Sequence, residues 1–157
     1  MAILAKFVHI NIVAEDWKKL ATFYEQAFGC TPVPPEKNLS GQWLEQATGV
    51  KGAEIHGVHL RLPRHTKEGP TLEIFQYSNQ ENCQETAINR PGLTHIAFAV
   101  DDLQGFRDAV IAARDRGVGE FVYVEIPGAG RITFVYLTGP EGNIMELQQW
   151  ADKGRNF

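Results

Sequence analysis

His9-Ile10-Asn11-Ile12-Val13-Ala14-Glu15-Asp16-Trp17 and His95-Ile96-Ala97-Phe98-Ala99-Val100-Asp101-Asp102-Leu103 align residue for residue, and this repetition decides how the chain is read. A second pair follows: Leu72-Glu73-Ile74-Phe75-Gln76-Tyr77 matches Met145-Glu146-Leu147-Gln148-Gln149-Trp150. Each copy therefore runs from a strand that carries a His to a strand that carries a Glu. Solenoids need at least about three repeats to bury a continuous core. Two copies suit a pseudo-symmetric single domain instead, with modules at about 4–77 and 93–150 joined by a linker, 78–92.

Working outward from the repeat, Phe7 to Val13 is β-branched and apolar and reads as a strand. Asp16 then supplies an N-cap ahead of Trp17, Leu20, Ala21, Tyr24 and Phe28, whose spacing of three and four predicts an amphipathic helix closed by Gly29. Thr31 to Pro35 holds three prolines, which lack the donor a central strand needs, so it is an extended edge segment or loop. Leu39 to Thr48 is expected to form a short helix capped by Ser40, and Ala53 to Leu62 and Pro70 to Tyr77 read as two strands. The second copy repeats the order: strand Leu93 to Val100, then a helix from Asp102 through Arg116 with Leu103, Phe106, Val110 and Ala113 inward. Strands follow at Glu120 to Ile126, Arg131 to Thr138 and Ile144 to Trp150. The first copy is longer between its His and its Glu. The surplus falls in Pro34 to Lys51, where it can act as a lid.

Bulk properties narrow the function classes. A chain of 157 residues is one domain by length and buries roughly 70% of the surface its unfolded form exposes. Lys and Arg number 15 against 19 Asp and Glu, with no basic cluster, which argues against nucleic acid as a partner. No apolar run approaches the roughly 18 residues of a membrane helix. Met1 to Phe7 has neither the charge nor the apolar length of a secretory signal, so the cytoplasm is the expected location. Cys30 and Cys83 lie far apart outside any CxxC motif; free thiols are expected, with a disulfide as the alternative. No GxSxG nucleophile motif occurs, and Gly128-Ala129-Gly130 before a strand reads as a hairpin.

Strand parity locates the chemistry. Phe7, His9, Asn11 and Val13 share one face, while Val8, Ile10 and Ile12 share the face fit to pack on helices. His95 shares its face with Leu93, Ala97 and Ala99. Glu73 and Glu146 each stand as a lone carboxylate between apolar residues of the opposite face. A buried, unpaired carboxylate is costly, and a cation removes that cost. A single strand His is ordinarily structural and a single strand Glu solvated. Two of each in matched places point to one metal site, and imidazole with carboxylate suits a divalent Zn, Ni, Co, Mn or Fe ion.

The doubled βαβββ order resembles the vicinal oxygen chelate superfamily, with His-Ile opening each copy, Leu-Glu-Ile and Met-Glu-Leu on each fourth strand, and Gly139-Pro140-Glu141-Gly142-Asn143 before the last. That group includes glyoxalase I, methylmalonyl-CoA epimerase, extradiol dioxygenases, fosfomycin-resistance enzymes and bleomycin-resistance proteins. The resemblance implies an α+β fold whose two tandem βαβββ units form a curved mixed sheet enclosing a metal site, with helices outside. It also implies His9, Glu73, His95 and Glu146 as ligands of one divalent ion, and a homodimer.

Four ligands are nearest to glyoxalase I. The implied activity is that of a lyase, isomerase or epimerase acting on a small carbonyl compound, a thioester or a thiol adduct. Proton transfer next to the carbonyl would pass through an enediolate or enolate held by the metal, with Glu146 or Glu73 as the base. Where methylmalonyl-CoA epimerases commonly carry Gln, this chain has Glu73. Where bacterial glyoxalase I grips glutathione with Arg and Asn, it has Val13 and Tyr77. The alternatives are a ligand-binding protein of the bleomycin-resistance kind, without metal, and an Fe(II) extradiol-type dioxygenase, which the fourth ligand disfavours.

Asn11 is the polar neighbour placed beside the metal. Arg61, Arg90, Arg131, Tyr77 and Tyr136 are candidates to hold a substrate carboxylate or phosphate. His56, His59 and His65 lie on or beside a hairpin without a partner at ligand spacing and read as solvated or lightly packed. The phase of His59 still allows it into the site.

Overall fold

The computed structural model describes residues 4–112 and 117–151. The chain forms two compact units, Met1–Asn82 and Cys83–Phe157. In the first unit β1 (His9–Val13), α1 (Trp17–Phe28), β2 (Thr31–Ser40), α2 (Gln42–Thr48), β3 (Glu54–Arg61) and β4 (Thr71–Tyr77) follow in order. The second holds β5 (His95–Ala99), α3 (Leu103–Ala112), β6 (Val122–Ile126), β7 (Gly130–Thr138) and β8 (Ile144–Trp150). Each unit has one four-stranded mixed sheet, ordered β1-β4-β3-β2 and β5-β8-β7-β6. The first strand pairs parallel with the last, and the remaining pairs are antiparallel. This is the tandem βαβββ architecture, with a short helix added to the first copy.

Local chemistry accounts for the element ends. Asp16 Oδ1 accepts from Lys19 N at 3.2 Å and caps α1, while Gly29 closes it at φ 69°. Asp102 makes the same contact with Gly105 N at 3.0 Å ahead of α3. The inward reading of Leu103 holds, at 2% exposure. Val110 falls within the helix, with its burial not described, and the readings at Ala113 and Arg116 lie outside the described residues. Along α1, Leu20, Ala21, Phe23, Tyr24 and Phe28 are buried, and the helix packs on β3 and β4. Val58, Leu60, Leu72, Ile74 and Ile12 are buried with them. Val8 is a correction: it precedes the paired part of β1 and is 62% exposed.

The proline segment is the start of the edge strand β2, interrupted by a register shift between Val33 and Lys37 where proline cannot donate. The cap of α2 is another correction. Gly41 at φ 103° holds that position rather than Ser40, because the chain needs a conformation disfavoured for side-chain-bearing residues there. Leu44 of α2 packs with Ala53 and Ile55, and Leu39, Val50, Phe75 and Tyr77 pack against them. The surplus of the first copy thus seals one end of the sheet face opposite α1. Both cysteines are free. Cys30 is buried, and that burial, with Glu25 adding, pushes its thiol up to about 11.

Candidate metal centre

Register brings the site of the first unit together. Asn11 of β1 and His59 of β3 stand directly opposite Glu73 of β4, and His9 stands opposite Thr71. Cross-strand partners project to the same face, so all five occupy the face turned away from α1. Glu73 is buried at 9% exposure. Its Oε2 accepts from Asn11 Nδ2 at 2.9 Å and lies 3.6 Å from His9 Nε2. Its Oε1 lies 2.8 Å from His59 Nε2. The two imidazoles meet edge to face with centroids 5.7 Å apart. His59 Nδ1 is 3.1 Å from Thr71 Oγ1, a hydroxyl that can donate or accept and so suits either tautomer. Burial chiefly lowers the pKa of His59, against the pull of Glu73, and the charges of Lys37 and His9 lower it further. The neutral imidazole that this favours is the form that binds a cation.

Phe75 walls the group. Its ring meets His59 edge to face at 6.1 Å. A Cβ at Gly57 would sit 2.6 Å from Phe75 Cδ1 and closer still to the carbonyl oxygen of Ile74. Glycine at 57 is what lets the ring and the β4 backbone approach this closely.

In the second unit Glu146 of β8 stands between Ala97 of β5 and Tyr136 of β7. His95 Nε2 lies 3.2 Å from Glu146 Oε2, and His95 Nδ1 lies 3.1 Å from Thr94 Oγ1. Tyr136 sets its ring edge to face against His95 at 5.2 Å and stands directly opposite Glu146 in the ladder. Burial, then the charge of Glu146, pushes the phenol above its usual value near 10.

The sequence readings thus fall into groups. His9 with Glu73, and His95 with Glu146, are each brought into contact within their own unit. Asn11, expected beside the metal, touches the Glu73 carboxylate. His59, which the hairpin reading left among lightly packed residues, is the nearest nitrogen to Glu73. Arg61 shares the Glu73 face and is half-buried, whereas Tyr77 is packed against the Leu44 cluster. Arg131, exposed, has the opposite strand parity to Tyr136 and lies on the other face from Glu146. His56 and His65 are exposed. A cleft of about 520 Å³ beside Trp17, Ala21, Pro32 and Val58 includes no histidine and involves the α1 side of the sheet, away from this chemistry.

The donor set fits a divalent ion. Ligand atoms of His9, His59 and Glu73 all lie within 4.8 Å of one another. Bonds of about 2.1 Å at tetrahedral angles place ligand atoms about 3.4 Å apart. Glu73 turns one oxygen to each imidazole, Oε1 at 2.8 Å from His59 Nε2 and Oε2 at 3.6 Å from His9 Nε2, separations below and above that spacing. Two nitrogens and a carboxylate on neighbouring strands, with the carboxylate oriented by Asn11, form a rigid base for such an ion.

Solved structures share the fold. A glyoxalase family protein from Bacillus cereus superposes with a TM-score of 0.79 at 18% identity, covering 95% of this chain and 96% of that one. The fosfomycin resistance protein FosX from Listeria monocytogenes matches with a TM-score of 0.59 at 16% identity, over 92% and 93% of the two chains. A mutant of FosX complexed with Mn(II) and 1S,2S-dihydroxypropylphosphonic acid matches at 0.57 and 15% identity, over 92% of each chain. No curated protein matches the sequence. The family model of the Glyoxalase/Bleomycin resistance protein/Dioxygenase superfamily matches residues 6–147. With that match spanning both βαβββ units, the chain belongs to the glyoxalase/bleomycin resistance protein/dioxygenase superfamily.

Proposed function

We propose that this protein is a divalent-metal-dependent lyase, isomerase or epimerase of the glyoxalase type, moving a proton next to the carbonyl of a small carbonyl compound, thioester or thiol adduct. The observation that carries the reading is the convergence of His9, His59 and Glu73. When bound, a divalent ion supplies Lewis-acid stabilisation of the negative charge that develops on a substrate with two adjacent oxygens. Glu73 already faces Asn11, His9 and His59, an arrangement suited to holding rather than to shuttling a proton. Glu146, in contact with His95 and Tyr136, is the carboxylate we assign to proton transfer. The Tyr136 phenol, held in its neutral form, remains a hydrogen-bond donor across the working pH range. The sequence expectation adds His95 and Glu146 to the ligand set, and the metal content of His95→Ala tests that addition. A homodimer is part of the same proposal.

Metal analysis of the purified full chain after loading with Mn, Zn, Ni, Co or Fe tests the reading directly. Stoichiometric uptake that Glu73→Gln abolishes is expected, and negligible uptake under every loading condition would overturn it. Solvent deuterium incorporation next to the carbonyl of test substrates is expected of the metallated protein. Oxygen consumption with catechols in its place would assign an oxygenase.

A further inference from the structure

Two cations flank His59 on the same sheet face. In the pairing of β2 with β3, Lys37 stands opposite Gly57, two residues before His59 along β3, and Arg61 lies two residues after it. Lys37 is half-buried between the exposed Glu36 and Asn38, alternating with Val33 and Leu39 on the inner side, and Arg61 is half-buried too. Among the described residues neither has a carboxylate within ion-pair distance. A cation that surrenders part of its hydration without a counter-ion loses free energy, and a ligand anion restores it. The charge of Lys37 is felt at His59, where burial is the first influence on the imidazole and Lys37 acts in the same direction. The span from Gly57 to Arg61 is about 13 Å along an extended strand, with His59 at its centre. A divalent ion held by Glu73 with neutral imidazoles adds net positive charge between them.

We infer that the substrate carries an anionic oxygen group, a carboxylate, phosphate or phosphonate, which Lys37 and Arg61 recognise beside the metal centre. This rests on the metal-dependent function proposed above. Oxygen-chelating hydroxamates provide the probes: acetohydroxamate, succinic acid monohydroxamate, and the counterpart of the latter with phosphonate in place of carboxylate. Their affinities for the metal-loaded full-length protein are measured by calorimetry. The anionic probes are expected to bind roughly tenfold more tightly than acetohydroxamate, the scale of one charge-assisted hydrogen bond. The better of the two distinguishes carboxylate from phosphonate recognition. The preference ratio is expected to fall to near one in Lys37→Gln/Arg61→Gln and to persist in Lys37→Arg. A ratio near one in the unaltered protein, or one that survives the double substitution, overturns the inference while leaving the metal reading intact. Failure of metal uptake, or of acetohydroxamate to bind the loaded protein, overturns both.

Discussion

In the first unit the central carboxylate, Glu73, stands between Asn11 and His59; in the second, Glu146 occupies the same register position between Ala97 and Tyr136. The ladders are alike, so the contrast lies in the side chains alone. A further exchange accompanies it. Gly57 faces Phe75 in the first unit, whereas the corresponding cross-strand pair in the second is Phe134 and Gln148. The aromatic ring has changed strands, yet in both units it packs against the neighbour of the carboxylate, Phe75 on His59 and Phe134 on Tyr136. Two copies of one backbone frame thus keep a His–Glu contact and diverge in the third group. One presents an extra nitrogen lone pair suited to a cation, and the other a phenol suited to hydrogen bonding.

The largest effect that tests this contrast is at the two carboxylates. Glu73→Gln is expected to weaken divalent-metal affinity by more than about 100-fold, because even outer partners of metal ligands cost about 10–100-fold. Competition with a chromophoric chelator measures it. An equal affinity in Glu73→Gln and the unaltered chain would remove the first unit from the metal site. Next, His59→Tyr installs the side chain of the second unit in the first. It is expected to lower metal affinity by about 10–100-fold, and Tyr136→His, the reverse exchange, is expected to leave affinity equal or higher.

A stability measurement sharpens the aromatic exchange. Gly57→Ala is expected to destabilise the protein by about 1–3 kcal/mol in urea unfolding, as overpacking does. Adding Phe75→Ala removes the ring contact but not the one with the Ile74 carbonyl, so the double variant should remain destabilised. Full recovery would show that the ring alone requires the glycine. The smallest effect is spectroscopic. Alkaline ultraviolet titration is expected to lose a phenol ionising above pH 10 in Tyr136→Phe. Glu146→Gln should shift that ionisation downward, since a neutral neighbour no longer opposes the phenolate.

Much of this was legible in the sequence because it depends on local periodicity. The repeated His-Ile and Leu-Glu motifs gave both βαβββ units, and parity placed Asn11 on the Glu73 face. His59 was less legible. Its contact with Glu73 depends on which residues of a hairpin face one another, and the long turn at 62–70 leaves that alignment undetermined by pattern. The usable signal was parity, which put His59 on a face that also carries Arg61. Lys37 was hidden for a related reason, since the irregularity between Val33 and Lys37 resets the phase of β2 after its prolines. The Ser40 cap failed because side-chain capping preference yielded to a backbone turn that glycine makes readily.

The direct opposition of His59 and Glu73 has a consequence for how the gene can vary. Side chains alternate sides at every step along a strand, so inserting or deleting one codon within β3 between the turn and His59 would swing the imidazole through to the α1 layer. Length changes in the 62–70 turn leave the strands' own alternation untouched. Natural or engineered size variation should therefore concentrate in that turn and spare the strand between it and the histidine.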